Sequence, residues 1–243
     1  TLLVDEKNEL GGTTIFENNE FNKIDNKNPS KWLKKEIEEL KSIKNLEIKL
    51  RTSVAAYHQY NYLLARENLT DHLDAKEKIN KIRQRLLKIR AKKVILATGA
   101  LERPLIFNNN DRPGIMLSSA IKRYSEFYGV ACGSKNVFFA NNDSAYESAL
   151  SLYNKGINVE AIIDIRDQSE SKIVKKVEEA GIKIYWSHTI VDTAGYKRLN
   201  SVSIMKLSND GTSVTGSKIS ISCDCLGVAG GWTPAVHLYT QSG

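Results

Sequence analysis

The chain has 243 residues, a net charge of +7, 41% hydrophobic residues and 26% charged residues. That composition is globular, so it excludes a mainly disordered chain and any fibrous repeat, and the length suits one large domain or two small ones. No stretch approaches the roughly 18 apolar residues of a membrane span, and three cysteines are too few for a disulfide framework, which points to a reducing compartment, the cytoplasm.

From the N terminus, Thr1 to Glu6 reads as a short buried strand ending in two carboxylates, and Gly11-Gly12 breaks it. It starts without Met, and Gln241-Ser242-Gly243 ends without winding down, so the chain is expected to be an internal piece of a longer protein. Lys31 to Ile43 carries Leu33, Ile37, Leu40 and Ile43 at helical spacing. Leu46 to Leu50, Ser53 to Ala56 and Tyr60 to Ala65 read as strands, and Thr70 to Ile89 as mostly a solvated, charged excursion. Lys93 to Ala97 is a continuous apolar run suited to a central strand covered on both faces. After the turn signature Asp111-Arg112-Pro113-Gly114, a helix is expected with Leu117, Ala120, Ile121, Tyr124 and Tyr128 inward and Gly129 as its stop.

Residues 137–186 then alternate between strands and helices. Asn136 to Ala140, Val159 to Asp164 and Ile182 to Trp186 are the strands. Ala145 to Asn154, capped by Asp143 or Ser144, and Ser171 to Ala180 are the helices, closed by Gly156 and Gly181. This pattern calls for a parallel sheet. Val202 to Leu207 and Lys218 to Ser222 pair as a hairpin through Asn209-Asp210-Gly211. Cys225 to Val228 is a last buried strand, and Ala235 to Thr240 is read as helical.

Four places in this layout carry chemistry. An acid at the end of a strand in a dinucleotide-binding unit takes the ribose hydroxyls, and its charge disfavours a 2′-phosphate, so Asp5-Glu6 favours NAD over NADP. Gly11-Gly12-Thr13 follows, where a glycine pair lets backbone approach a pyrophosphate. Ala97-Thr98-Gly99 is either a plain strand-to-loop turn or, as in two-dinucleotide-domain flavoproteins, the passage of the chain beneath a cofactor. Gly230-Gly231-Trp232-Thr233 before the expected last helix offers a second wall for a nucleotide; a capped helix with Trp232 in the core explains it equally.

The stretch Val-Phe-Phe-Ala-Asn-Asn-Asp-Ser-Ala at 137–145 stands where a second glycine fingerprint would lie, with Ala140, Asn142 and Ala145 at the glycine positions. An Asn side chain at the middle position obstructs the pyrophosphate, so this unit is expected not to bind a dinucleotide in the usual way, though its helix start could accept a smaller anion. No cysteine follows Gly11-Gly12, which excludes dithiol chemistry there. Cys132, Cys223 and Cys225 read as core thiols, and no set of residues has the spacing of a metal site. His58, His72, His188 and His237 form no catalytic arrangement. Much of the lysine excess lies between Lys31 and Lys93 among glutamates and reads as solvated surface, so no nucleic-acid partner is expected, and no membrane.

Several stretches together resemble the alpha subunits of heterotetrameric sarcosine oxidases. They are Val94-Ile-Leu-Ala-Thr-Gly-Ala-Leu-Glu-Arg-Pro-Leu105, Asn109-Asn-Asp-Arg-Pro-Gly-Ile-Met116, Asn141-Asn-Asp-Ser-Ala145 and Gly230-Gly-Trp-Thr-Pro-Ala-Val-His-Leu238 with Gln241-Ser-Gly243, joined by Tyr60-Asn-Tyr62 and Thr70-Asp-His-Leu73. The wider group includes alpha subunits of opine oxidases, hydroxyproline dehydrogenases and hydrogen cyanide synthases. The resemblance implies an α/β fold of the two-dinucleotide-binding-domain flavoprotein type. Residues 1–99 and 190–243 would form an incomplete first domain, whose leading strand and glycine fingerprint would lie upstream, and 100–189 an inserted second one. It implies NAD on this subunit, FMN shared with a beta subunit, FAD in that beta subunit, and a folate acceptor in a C-terminal domain outside this sequence. Gamma and delta subunits would complete the complex, and an amine, sarcosine, would be the substrate. Carried over by motif, Asp5, Glu6, Lys7 and Thr13, with Gly12 beside them, would hold the adenosine and pyrophosphate. Val54 would meet adenine through its backbone. Thr233, Leu238 and Thr240 would line the closing helix, beside Gly231, Trp232, Thr98 and Gly99. The amine-oxidising site is not among these residues, so no catalytic residue is assigned. An opine or hydroxyproline substrate, a structural subunit without nucleotide, and a stand-alone NADH-dependent reductase are the alternatives; the missing redox cysteines and the degenerate second fingerprint speak against the last.

Overall fold

The structure is a computed structural model and describes residues 1–17 and 23–242. The chain forms two compact units, Thr1–Gly99 with Pro234–Gly243, and Ala100–Thr233. The sequence reading placed the return to the first unit near residue 190; in the structure the strands after that point fall in the second unit, and the return comes at Pro234.

In the first unit, β1 (Leu2–Val4) pairs in parallel with β2 (Glu47–Lys49), across α1 (Pro29–Ser42) in sequence. α1 starts on Asn28, whose side chain accepts the Ser30 N–H at 3.0 Å, and has Pro29 in its first turn. β3 (Thr52–His58), β4 (Tyr62–Asn68) and β5 (Gln84–Arg90) form an antiparallel sheet in that order. Tyr60 and Asn61, both left-handed at φ 60° and 54°, make the first hairpin turn.

Three readings of this unit need correction. β1 is shorter than Thr1 to Glu6 and half-buried, because β2 is its one strand neighbour among the described residues. The charged stretch from Thr70 to Ile89 yields a strand, β5, since Leu87 and Ile89 alternate with polar residues and an edge strand tolerates charge. Lys93 to Ala97 forms no strand, and Ile95 is 91% exposed. An apolar run becomes a central strand only where neighbours take up its backbone groups, and no described residue does so here.

In the second unit, β6 (Ala100–Glu102) precedes β7 (Ile115–Leu117), and α2 (Ser118–Tyr128) ends on left-handed Gly129 at φ 66°. β8 (Asn136–Ala140), α3 (Ser144–Asn154), β9 (Val159–Asp164), α4 (Lys172–Glu179) and β10 (Ile184–Tyr185) alternate as expected. β11 (His188–Ala194), β12 (Ser201–Leu207) and β13 (Val214–Ser222) form an antiparallel sheet. β14 (Cys225–Ala229) closes the parallel sheet in the order β10-β9-β8-β14-β7, and β15 (Trp232–Pro234) lies beside β6.

The side-chain alternation of β8 and β14 builds three layers. Val137, Phe139, Leu226 and Val228 face Ile190, Val202 and Ile204 of the antiparallel sheet. Phe138 turns the other way, where Ile121 of α2 is the nearest helix residue to Gly227. Among the described residues, Cys223 and Cys225 are free and buried, and burial pushes both thiols up to about 12.

β6, β7 and β11 were not foreseen. On α2 the inward stripe is Ser118, Ile121, Lys122 and Ser125, whereas Tyr124 and Tyr128 are 44% and 55% exposed. The helix is turned by about one position because it also packs on α3, where Lys122 meets Glu147 at 3.6 Å. The expected helix Ala235 to Thr240 is a single 3-10 turn at Tyr239–Gln241. Pro234 ends an extended strand, and so short a segment stays too brief to repay helix nucleation.

The α2 N-terminus rests on Glu102, whose Oε2 accepts the Ser119 N–H at 2.8 Å while Oε1 is buried without a partner among the described residues. Burial pushes this carboxyl up, and the hydrogen bonds from Ser119 only partly hold it down. Its pKa is thus higher folded than unfolded, so folding takes up a proton and stability falls as pH rises from the ordinary carboxylate range towards neutral. Replacing Glu102 with Gln keeps the cap acceptor and removes this loss; denaturation curves across pH 4–7 will fall less steeply for Glu102→Gln than for the parent (pH range from the usual carboxylate value of about 4.3). A second expectation concerns Gly227, where a Cβ would stand 2.6 Å from the Phe138 ring. Gly227→Ala will lower unfolding free energy by about 1–3 kcal/mol in a urea titration, from overpacking between sheet and helix.

Candidate functional site

In the first unit the parallel pair β1–β2 delivers Asp5-Glu6-Lys7 to the end of the ladder. The Asp5 N–H donates to the Lys49 carbonyl at 2.9 Å, the Thr52 N–H donates to the Asp5 carbonyl at 2.9 Å, and the Arg51 N–H donates to the Lys7 carbonyl at 2.7 Å. This loop is therefore stitched to the start of β3. Val54, two residues further along β3, is brought into the same neighbourhood, next to an irregularity in the β3–β4 register. The Asp5 carboxylate accepts the Lys7 N–H at 2.8 Å and so fixes the loop. Glu6 is the carboxylate that reaches solvent, 2.9 Å from the Lys7 ammonium.

The glycine pair divides its duties. At Gly11, φ 123°, a Cβ would stand 2.5 Å from Leu33 Cδ2, so that glycine seats the loop on α1. At Gly12, φ 55°, nothing lies within 4 Å of a Cβ position, and Thr13 beside it is exposed. Gly12-Thr13 thus opens the 3-10 turn Gly12–Phe16 with free space beside its backbone. An exposed carboxylate and open glycine backbone are what an adenosine ribose and a diphosphate require, so these residues fit that group.

The C-terminal arm joins the same unit. The Thr98 hydroxyl donates to the Ala235 carbonyl at 2.6 Å, and the Ala235 N–H donates to the Gly99 carbonyl at 2.9 Å. Gln241 accepts the Tyr57 N–H on β3 at 3.0 Å. Leu238 is half-buried, and the Thr240 hydroxyl donates to the His237 carbonyl at 3.0 Å. No helix N-terminus stands here for a nucleotide, because the segment is a 3-10 turn. In the second unit the Gly231 carbonyl accepts the Arg103 N–H at 2.8 Å, Trp232 is 47% exposed, and Thr233 is exposed.

The second unit treats its own nucleotide-type positions differently. At the start of α3, Asn142 Oδ1 accepts the Ser144 N–H at 3.0 Å and its hydroxyl at 2.6 Å, while Asn142 Nδ2 donates to the Ala229 carbonyl at 3.1 Å and to Asn141 Oδ1 at 2.7 Å. The side chain lies across the helix start and takes a donor that a phosphate would use. At the end of β9, fully buried Asp164 receives Arg166 Nη2 at 2.7 Å and the Tyr146 hydroxyl at 2.7 Å. Arg166 Nη1 also donates to Asp143 at 2.8 Å. These carboxylates raise the Arg166 pKa further, and burial with the Asp164 bond raises that of the Tyr146 phenol. Sequence reasoning missed this cluster, though the rule applied to Asp5-Glu6, an acid ending a strand of a βαβ unit, points equally to Asp164. Among the described residues no group of three or more His, Cys, Asp or Glu side chains is placed to hold a metal ion.

A parallel sheet layered between helices and an antiparallel sheet in one unit, and an acid-ended parallel strand with an open glycine turn in the other, make a dinucleotide-binding fold of the kind found in FAD- and NAD(P)-dependent oxidoreductases. Thioredoxin reductase from T. acidophilum superposes with a TM-score of 0.69 at 17% identity, over 99% of this chain and 71% of that one. L-proline dehydrogenase from P. horikoshii superposes at 0.64 and 20% identity, over 100% of this chain and 39% of that one. No family model matches the chain. Along its whole length the chain is similar to sarcosine oxidase alpha subunits. It is 37% identical over 242 residues to that of Corynebacterium sp. strain P-1 and 32% over 245 residues to that of Rhizobium meliloti strain 1021, covering 99% and 100% of this chain. It spans about a quarter of their length, 24% and 23%.

The Asp164 cluster makes a stability forecast. Arg166→Ala leaves a fully buried carboxylate with a phenol as its one remaining side-chain donor, and will cost about 3–5 kcal/mol in chemical denaturation.

Proposed function

We propose that this chain is the nucleotide-binding segment of a sarcosine oxidase alpha subunit, in a flavoprotein complex that converts sarcosine to glycine by oxidative N-demethylation. The similarity to such subunits from end to end supports the assignment. The observation that carries the nucleotide role is the loop Asp5-Glu6-Lys7, hydrogen-bonded to the start of β3, with the open Gly12-Thr13 turn in the same unit. Glu6 takes the adenosine ribose hydroxyls, and its charge rejects a 2′-phosphate, which selects NAD. Gly12 and Thr13 face the diphosphate, and Val54 meets adenine through its backbone. Thr98, Gly99, Leu238 and Thr240 order the arm that returns to this unit. Gly231, Trp232 and Thr233, which the resemblance also implies for the cofactor, belong to the second unit.

FMN held with a beta subunit, FAD in that subunit and folate as one-carbon acceptor complete the proposed complex with gamma and delta subunits; the flavins supply the oxidation of the amine and the transfer of electrons to oxygen. No residue of this chain takes part in amine oxidation. The bonds that Asn142 and Arg166 make within the second unit favour a scaffold role for its βαβ unit.

The test uses the full-length protein co-produced with its partner subunits. NAD released on denaturation and quantified by chromatography will be near stoichiometric in the parent and fall at least about tenfold in Glu6→Ala, the loss of a charged hydrogen-bond partner of about 1.5–3 kcal/mol. Peroxide formed on adding sarcosine will report the oxidase activity. Unchanged NAD content in Glu6→Ala would reject the site, and a complex that forms no peroxide with sarcosine would reject the substrate.

A further inference from the structure

The net charge of the chain has one source. Between Lys81 and Lys93 there are seven Lys and Arg residues and no Asp or Glu; outside this segment 28 basic residues face 28 acidic ones. The fold turns most of the segment into β5, the edge of the β3-β4-β5 sheet, with no strand on its outer side among the described residues. Leu87 and Ile89 point to the half-buried face. Leu86, Lys88 and Arg90 alternate with them on the exposed face, opposite Arg66, Leu64 and Tyr62 of β4. Arg85, on the half-buried face, pairs with Glu67 at 3.5 Å, and Arg90 lies 5.3 Å from the centre of the Tyr62 ring.

Apolar side chains are exposed here too. Leu86 on β5 is 61% exposed, and Ile79 and Ile82 in the chain leading into it are each 67% exposed. Charge alone suffices to keep an edge strand from pairing with a second copy of itself, and apolar side chains work against that purpose. A row of one sign of charge with apolar side chains among it, along an open backbone edge, is what an added strand needs. The backbone supplies bonds, the cations select the partner's charge, and the apolar groups are covered. Nucleic acid suits the surface less well. Bases stack on open aromatic rings, the segment 81–93 has none, and the Tyr62 ring opposite is covered by Arg90.

We propose that β5 is a docking edge for an acidic, extended segment of a partner polypeptide, which adds to the sheet with its carboxylates against Arg66, Lys88 and Arg90 and an apolar residue over Leu86. The inference stands apart from the nucleotide reading, since none of these residues belongs to that site.

The test is made in the full-length protein purified with its co-produced partner chains. A benzoylphenylalanine in place of Lys88 is photolysed in the assembled complex and the cross-linked peptide is read by mass spectrometry. The expected peptide comes from another subunit and is rich in Asp and Glu. In parallel, Arg83→Glu with Lys88→Glu will weaken assembly about tenfold or more in low-salt sedimentation, while Lys31→Glu with Lys34→Glu on α1, an equal change of net charge, will leave it unchanged. Unaltered melting and nucleotide content in both pairs will show that the fold and the nucleotide site are intact. A cross-link within the protein's own chain or to nucleic acid overturns the proposal. So do the absence of any cross-link, equal weakening by both charge pairs, or a protein that purifies without partners.

Discussion

The second unit depends on the backbone of Cys225–Ala229 finding hydrogen-bond partners on both sides. All five residues are buried, so no water can serve them, and β7 and β8 must run parallel to them in register. That requirement dictates the sequence around the strand. Gly227 admits the Phe138 ring and Ile121, while Leu226 and Val228 fill the opposite layer. Where the strand ends, Gly230 approaches the Arg103 and Pro104 backbone so closely that a Cβ would stand 2.7 Å from a carbonyl oxygen. The carbonyls of Ala229 and Gly230 are then presented to Asn142 and Asn141, so the end of the central strand also fixes the start of α3.

The same architectural position is thereby put to two uses. In the first unit the strand-end carboxylate of Glu6 stays in solvent and the glycine turn stays open. In the second, the strand-end carboxylate of Asp164 is closed in by Arg166 and Tyr146, and an Asn side chain lies across the helix start. A buried carboxylate left without partners costs several kcal/mol, and here the partners come from within the unit. Arg166 and Tyr146 supply them for Asp164, and Asn142 satisfies the start of α3, all within the βαβ unit. Unit 2 therefore stands on its own polar network, and unit 1 keeps its polar groups available.

Much of this was legible from residue pattern alone because parallel strands covered on both faces leave continuous apolar runs. Asn136 to Ala140, Val159 to Asp164 and Cys225 to Val228 needed nothing else, and the glycines after α2, α3 and α4 marked their ends. The same rule misread Lys93 to Ala97, since apolarity records a fitness for burial but cannot supply the neighbouring strand. The tyrosines of α2 misled for a related reason: helical spacing gives a stripe, and which edge of the stripe turns inward was settled by a second helix, α3, through Lys122 and Glu147. The proposed site was open to reading from sequence where it is local, as in Asp5-Glu6 and Gly11-Gly12. It was hidden where it needed tertiary structure: Arg166 with Tyr146 about Asp164, and the return of Ala235 to Thr98 and Gly99.

Charge followed a different logic from apolarity. Summed over the chain, the lysine excess looks like a solvated surface mixed with glutamates, and over most of the length it is one. Only the strand register shows that the unbalanced part centres on one edge strand, because β5 alternates its residues between a half-buried and an open face and has no strand on its outer side among the described residues. A composition reports how much charge a protein carries; the ladder β3-β4-β5 determines where that charge is concentrated. The sequence patterns that bury a sheet and the charges that mark its border are thus read at different scales, the first within five residues and the second only after the sheet is assembled.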